Sequence, residues 1–587
     1  MRAAWSDTTI RLLIGAGAVC SAAALISLMK HRNRKLRVAI LWLTDSLRLD
    51  DNEAIQCILN TNADRLLVVR VWQHGCGSVP TAAAAFEAAA LAALDKQLQA
   101  IGSRLHVLSP AQPVSRSDAA HVVAQLASQL AADIVVVDHA LFETESLEPH
   151  IATKFHTGCH VVTTHSDNAT LFSDAAARAC LGRARSGGGK MLRWAAFLSA
   201  GMNAKAPSTR TADQVSSIPP PPELPATTMV SQVPLQWALA RRWAARMLQE
   251  WAPISEEGAR QRATQAGEAA TRSADIGEFG RDDRGSSSGR GARPSRLSPF
   301  LRFGLISARR AAACGVRQRD LVWRDWTYLC WRLVPSLRRG DAVITPLNSS
   351  CQLQGGAAKI ELLNSFRTMG WESEADAFHA WCVGRTGSRV VDAGMRQLWV
   401  EGWMPRWVRL LSACCLCEGL GLDWRLGRDW YAYALTDHDP AINEAMWQNA
   451  GLCGIDPFYR SLRWEAGAPS DGEEAEDASD AEVRTYLEKW LSVSLRWPPG
   501  PLREAAAKAP PSQTEVELLA QSRREKLRGV YRAASMIGKA GVHISQDGAV
   551  LGVGRRPLGE FRPGLLTRGS GVSSSRSTGR DEDPDRT

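Results

Sequence analysis

The sequence has no regularly spaced cysteine framework, no glycine-rich dinucleotide fingerprint and no internal repeat. Its thirteen cysteines are odd in number and scattered, which excludes the disulfide scaffold of a small secreted domain. The tightest group, Cys414, Cys415 and Cys417, lies in the apolar helical stretch 408–422 with no histidine at ligand spacing. Small core residues are the expected reading and no metal site is expected. No GxGxxG follows the first strand-like run, so any nucleotide is held by other means than that turn. Tyrosine is scarce, at 6. Acidic residues are in deficit: 70 Lys and Arg against 61 Asp and Glu leave a net charge of +9. That balance permits an anionic partner such as a nucleic-acid backbone.

Tryptophan is abundant. There are 21 in 587 residues, two thirds of them at or after Trp323. Packing accounts for most tryptophans, but such an excess in one half asks for a second role.

The length predicts roughly two to four domains. Residues 12–29 form an uncharged run flanked by Arg2 and Arg11 before it and by Lys30, Arg32, Arg34, Lys35 and Arg37 after it. Eighteen apolar or small residues are just enough to span a bilayer, and an Arg-bearing organelle presequence is the rival reading. Residues 1–35 are therefore expected to be a transmembrane or targeting segment, with membrane association through residues 10–29. The expected location is a membrane or an organelle, chloroplast or mitochondrion, with the nucleus as the other alternative.

From Arg37, β-rich runs at 38–43, 66–72, 105–108, 134–137 and 161–164 alternate with helical patterns at 82–101 and 118–132. This alternation predicts a Rossmann-like parallel sheet covered on both faces over residues 36–200. Residues 201–230, with the run Pro219–Pro222, read as a linker. Residues 231–500 read as an all-α domain containing a disordered loop near 255–293. Residues 501–587 form a C-terminal extension, expected to be partly disordered, with a β-hairpin at 539–559 to which no role attaches.

Several side chains suit chemistry. Ser295, Arg296, Leu297 and Ser298 precede a helix, where hydroxyls and free N–H groups suit either phosphate oxygens or a plain cap. Arg409 and Asp437 can form an ion pair between two helices, structural or functional. Arginine-rich patches, such as Arg309–Arg310, can contact phosphates or simply be solvated.

The segments VAILWLTDSLRLDDNEAI from Val38, SRLSPFLRFGLIS from Ser295, DLVWRDW from Asp320, WCVGRTGSRVVDAGMRQLWVEGWM from Trp381, LDWRLGRDW from Leu422 and DHDPAINEAMWQNAG from Asp437 together resemble the photolyase/cryptochrome family in order and spacing. The resemblance implies FAD held by a helical domain, and an α/β domain that in the family carries a folate or deazaflavin antenna. It implies that Ser295, Arg296, Leu297 and Ser298 hold the FAD diphosphate, although Pro294 replaces a threonine. Arg324, Arg406, Arg409, Asp437, His438 and Asp439 would line the cofactor, and Asn443 would face flavin N5. Asparagine at that position is similar to photolyases, since a neutral amide cannot supply a proton. Trp447, Trp424 and Trp371 match the family's electron-transfer chain, while Trp381, Trp399 and Trp403 read as packing. Asp320, Trp323 and Asn449 fall at substrate positions. There Asp320 stands for a glutamate, Pro405 and Arg406 for His-Asn, and Asn449 for a stacking tryptophan. Pro405 also removes the histidine pair of six-four photolyases.

Three functions stay open. One is a cyclobutane pyrimidine dimer photolyase acting on damaged DNA. The second is a cryptochrome-type photoreceptor without repair, and the third a degenerate flavin-binding protein. A monomer is expected.

Overall fold

The computed structural model describes residues 37–557, apart from 75–80, 111–115, 139–157, 165–169, 184–189, 204–214, 216, 225–241, 276–294, 345–363, 458–463, 466–479 and 554–555. The run at residues 10–29 lies outside the described residues, and among those described no helix is long and apolar enough to cross a membrane.

Five strands, β1 (Val38–Trp42), β2 (Arg65–Val71), β3 (Leu105–Leu108), β4 (Ile134–Asp138) and β5 (His160–Thr164), form one parallel sheet in the order β3-β2-β1-β4-β5. The crossovers carry α1 (Glu53–Leu59), α2 (Ala82–Ala100) and α3 (Arg116–Gln129). Strand residues alternate between two cores: Ala39, Leu41, Leu66, Val68 and Val136 on one face, Ile40, Trp42, Leu67, Val69 and Val137 on the other. That two-sided burial is why these strands read as nearly continuous apolar runs. The first core is shared with the helical part of the chain, through Phe300, Phe303, Trp326 and Leu329.

The chain order reverses between β1 and β4, the crevice where an open α/β sheet ordinarily takes a ligand. Here the protein fills it. Asp138 accepts hydrogen bonds from the Asp45 and Ser46 amides at 3.2 and 2.8 Å, and Thr44 Oγ1 donates to Asp138 O at 2.5 Å. Leu47 N donates to Phe303 O at 3.0 Å and Arg48 Nη1 to Gly304 O at 2.9 Å. Gly304 takes φ +62, and a side chain there would run into Asp45 O. The motif after β1 is therefore docking machinery. Arg309 pairs with Asp51 at 3.0 Å, and Asn52 caps α1 by accepting from Ala54 N and Ile55 N.

Two short helices and two strands follow: α4 (Asp174–Ala179), β6 (Gly182–Arg183), β7 (Lys190–Leu192) and α5 (Trp194–Asn203). The helical part comprises α6 (Arg242–Gln249), α7 (Glu256–Asp275), α8 (Ser298–Arg302), α9 (Ala308–Ala313), α10 (Gln318–Leu333), α11 (Pro335–Arg339), α12 (Glu374–Val383), α13 (Arg389–Glu401), α14 (Arg406–Cys414), α15 (Trp424–Ala434), α16 (Pro440–Ala450) and α17 (Asp480–Leu491). A π-helical turn, Cys415–Gly419, follows α14. Cys414, Cys415 and Cys417 are buried there and form no disulfide.

One expectation is corrected. The disordered loop near 255–293 contains the twenty-residue helix α7. The window is rich in Ala, Glu, Arg and Gln, good helix formers, with Glu256 and Arg260 paired at i,i+4; residues 276–294 lie outside the described residues. The C-terminal extension is ordered through its first fifty residues, as α18 (Pro501–Ala507), α19 (Gln513–Ala540), β8 (Val542–Ile544), β9 (Val550–Val553) and β10 (Arg556–Pro557). Its hairpin joins β7 and β6 in a second, antiparallel sheet, β10-β9-β8-β7-β6. Ser512 starts α19 with a capping box, and Arg523 Nε donates to Glu418 O at 2.7 Å on the π turn.

Candidate flavin and nucleobase site

The loop into α8 is bent by Arg296, which takes φ +52. That turn leaves Ser298 exposed and Ser295 half-buried. Ser298 Oγ accepts from Trp403 Nε1 at 3.2 Å, and the start of α8 has no side-chain cap. The Arg296 side chain goes elsewhere. Its guanidinium lies 4.6 and 5.0 Å from the ring centres of Trp251 and Trp403, with Nη2 3.1 Å from Glu401. The loop thus carries two serine hydroxyls and an α8 start with no side-chain cap, while the arginine packs on Trp251 and Trp403.

Arg409 and Asp437 meet as a bidentate pair, Nη1 to Oδ1 at 3.1 Å and Nη2 to Oδ2 at 2.8 Å, and Arg409 Nε donates to Met404 O at 3.0 Å. Asp437 is buried, while a quarter of the Arg409 side chain stays exposed. His438 lies between this pair and Arg302, whose Nε donates to His438 O at 3.0 Å. Burial, then the Arg302 charge, pushes the His438 imidazole down to about 4, so it is neutral at neutral pH. Asp439 caps α16 by accepting from Ile442 N at 3.1 Å, and it accepts from the Tyr328 hydroxyl. Arg324 sits over the Tyr328 ring at 4.7 Å and donates Nη2 to Leu301 O at 3.0 Å. One turn of α16 beyond Asp439, Asn443 donates Nδ2 to Arg428 O at 2.9 Å. That bond fixes the amide's sense and leaves Oδ1 without a partner among the described residues.

The three matched tryptophans share one core. Trp447 packs against Gly427 of α15, and Trp424 against Gly451 at the end of α16, so each indole is seated on a glycine of the other's helix. Arg425 and Arg428 lie 4.7 and 5.3 Å from the Trp424 ring. Tyr431 stands 5.0 Å from Trp447 and 6.0 Å from Trp381, and its hydroxyl is bonded to Ser412 Oγ at 2.7 Å. Trp371, the outermost of the three by resemblance, is only 4% exposed. A small cleft beside it is lined by Asp376, His379 and Arg385 and, from the C-terminal extension, by Glu504 and Lys508.

The substrate positions separate. Asp320 is exposed and paired at 3.1 Å with Arg317, the residue that precedes α10. Trp323 is half-buried with the Arg406 guanidinium 5.9 Å from its ring centre, so Arg406, expected at the cofactor, lies against the substrate-side indole. Asn449 is occupied by its own chain, Oδ1 accepting from Asp456 N at 3.1 Å. Sequence reasoning missed Arg302 and Tyr328, which lie one helical turn beyond Ser298 and Arg324 and were legible as i+4 neighbours.

Known proteins match this arrangement. A profile described as "DNA photolyase" matches residues 39–177, and one described as "FAD binding domain of DNA photolyase" matches residues 317–517. A deoxyribodipyrimidine photo-lyase of Agrobacterium fabrum is 27% identical over 446 residues, 73% of this chain and 83% of that protein. Cryptochrome-1 of Sinapis alba is 29% identical over 213 residues, 35% of this chain and 39% of that protein. The matched stretch spans well under half the length of several of the curated relatives. The crystal structure of a bacterial class III photolyase from Agrobacterium tumefaciens superposes with TM-score 0.60 at 23% identity, over 86% of this chain and 99% of that one, a likeness of fold.

Proposed function

We propose that this chain, which belongs to the photolyase/cryptochrome family, is an FAD flavoprotein that uses blue light to repair cyclobutane pyrimidine dimers in DNA. One observation carries the reading. Asn443 has one N–H of its Nδ2 tied to Arg428 O and its Oδ1 unbonded among the described residues, and it stands six residues after Asp437, which is held in the bidentate pair with Arg409. Such a wall offers an acceptor and a fixed cation and no proton donor, which suits a reduced, negatively charged flavin ring.

The donors present fit FAD. Ser295 and Ser298 would take the diphosphate, Asp437 to Asp439 the polar edge and ribose, and Arg409 and Asn443 the ring. When bound, FAD supplies the blue-light absorption and the electron that opens a cyclobutane ring. The chain's own residues do the rest. Arg409 keeps a cation in place because Asp437 holds both its terminal nitrogens. His438 stays neutral and adds no charge. Trp447 can yield an electron inward and be refilled from Trp424 and then Trp371, one long transfer becoming short hops. The net charge of +9 favours a DNA backbone. A folate or deazaflavin antenna, if one is carried, sits away from the β1/β4 crevice that Asp138 fills.

A cryptochrome-type photoreceptor is the second reading. It is favoured by Arg406 against Trp323 and by Asn449 bonded to Asp456, since both occupy groups that a flipped lesion would otherwise use. The test is illumination of the dark-purified full chain with oligothymidine carrying cyclobutane dimers, following flavin absorption and dimer loss. Dimer loss is the expected result. Photoreduction without dimer loss transfers the function to the photoreceptor reading, and absence of bound flavin leaves only a degenerate flavoprotein fold.

A further inference from the structure

A tryptophan chain that is refilled from outside must end where a reductant reaches it. Trp371, the outer member by resemblance, is only 4% exposed. Part of its cover comes from the C-terminal extension. α18 packs on α12, and Glu504, Ala505 and Lys508 line a cleft together with Trp371, His379 and Arg385. The cleft holds about 40 Å³ of space, room for a few water-sized groups. Its cover is fixed at both ends. Trp497, just before α18, stacks on Trp399 of α13 with ring centres 4.4 Å apart, and its carbonyl accepts from Arg503 Nε and Nη2 at 3.1 and 2.9 Å. Leu502 packs against two cores at once. Past the helix, Gly387 lies so close to Pro511 that a Cβ there would run into the Pro511 carbonyl. Across the cleft the tie is loose. Lys508 Nζ stands 4.0 Å from Asp376 with 52% of the lysine side chain exposed, a kind of pair that adds little stability. Glu504 is exposed, and the Arg385 side chain has no hydrogen-bond or ion-pair partner among the described residues.

The fixed charges of the cleft balance, Arg385 and Lys508 against Asp376 and Glu504, so it selects by size rather than by sign. A Trp371 that has passed its electron inward is an oxidised indole. It either recovers that electron from within or takes one from outside. An outside donor must come close to the ring, and a helix with its side chains is about 10 Å thick. We propose that α18 is a size-selective screen over the electron entry point. A small one-electron reductant of the simple thiolate class enters the cleft and refills Trp371, and a bulky one is kept a helix's width away. One electron leaves the thiolate sulfur, which becomes a thiyl radical, and the indole radical cation returns to the neutral ring with no proton moved. The proposal rests on the reading above that Trp371 ends the chain, and it adds what reaches that end.

The experiment uses the full flavin-bound chain under anaerobic blue light. It compares the photoreduction rate with 2-mercaptoethanol and with glutathione at matched thiolate concentration. The parent should be reduced at least about threefold faster by the smaller thiol. Glu504→Ala combined with Lys508→Ala, both at exposed positions, should bring the two rates within about twofold of each other. Ala509→Trp, which narrows the cleft that Ala509 lines, should slow the smaller thiol at least about threefold. Hydroxyl-radical footprinting in the dark gives a second readout that needs no photochemistry. Trp371 should be more oxidised in the double variant and less in Ala509→Trp, with melting temperatures unchanged because the fold is intact. Equal rates in the parent, a parent-like ratio in the double variant, or footprinting that does not change each overturn the screen. Trp371→Phe separates the two readings. If it loses photoreduction while the double variant keeps the size preference, the chain stands and the screen falls. If Trp371→Phe photoreduces like the parent, the chain does not end at Trp371 and both fall.

Discussion

Arg409 carries two burdens at once. Its guanidinium is spent on Asp437, and a quarter of its side chain is still exposed. Removing it by Arg409→Ala leaves a buried carboxylate with no cation, a defect that costs about 3 kcal/mol or more. The expected outcome is a melting temperature lowered by several degrees and flavin lost on desalting, both readable in one absorption-monitored melt. An unchanged melt with flavin retained would mean that the pair is neither structural nor part of the pocket wall. At this scale the sequence offered Arg409 and Asp437 as an ion pair, and they meet as one, while Asn443 is bonded to Arg428 on α15. Arg296 and Asp320 occupy expected positions, yet their side chains are claimed by Trp251, Trp403 and Glu401 in one case and by Arg317 in the other. Long flexible side chains take the best local partner, and no sequence pattern specifies it.

Glycine explains why one element was misread as a loop. In α7, Gly258 and Gly267 resemble breakers, and the glycine-rich run that follows reinforces that impression. Both are packing residues. A Cβ on Gly258 would run into Pro253 O, and one on Gly267 into Cys314 O at the end of α9. The glycines let α7 approach backbone to backbone, which a single sequence does not reveal. Gly267→Ala ordinarily favours a helix by up to about 1 kcal/mol. Here the added methyl has only rigid backbone to displace, so it should destabilise by about 1–3 kcal/mol. Denaturant unfolding measures the sign directly, and a stabilised Gly267→Ala protein would contradict the close approach of α7 to α9. Strands fared better because burial on both faces writes itself into composition. The runs at β1, β2 and β4 are apolar but for Arg65, Arg70 and Asp138 and were recognisable without knowledge of what covers them.

At the scale of the whole molecule, the C-terminal extension closes the chain onto its own beginning. β8 pairs with β7, and Val542, Ile544 and Val553 are buried in the core shared with the α/β sheet. The sequence hinted at a hairpin but not at its partner, since a three-residue strand 350 residues away in sequence has no signature of its own. Truncation after Ala540 removes those three side chains, worth about 1.5–3 kcal/mol each, and leaves β7 paired only to the two-residue β6. It does not touch α19, which stays docked through Arg523 and through the Tyr531 hydroxyl on Glu418. Nor does it remove any of the residues that line the flavin pocket. The truncated protein should therefore keep its flavin and its photoreduction while melting at a lower temperature. Limited proteolysis should cut first near residues 180–195, where β6 and β7 have lost their cover. Loss of flavin together with the hairpin would mean instead that the second sheet supports the pocket through α10. Gly548 packs against Leu333 at the end of that helix, and the same helix carries Trp323 and Arg324. The order in which proteolysis and flavin release occur on heating distinguishes the two couplings, because only the second makes the two events simultaneous.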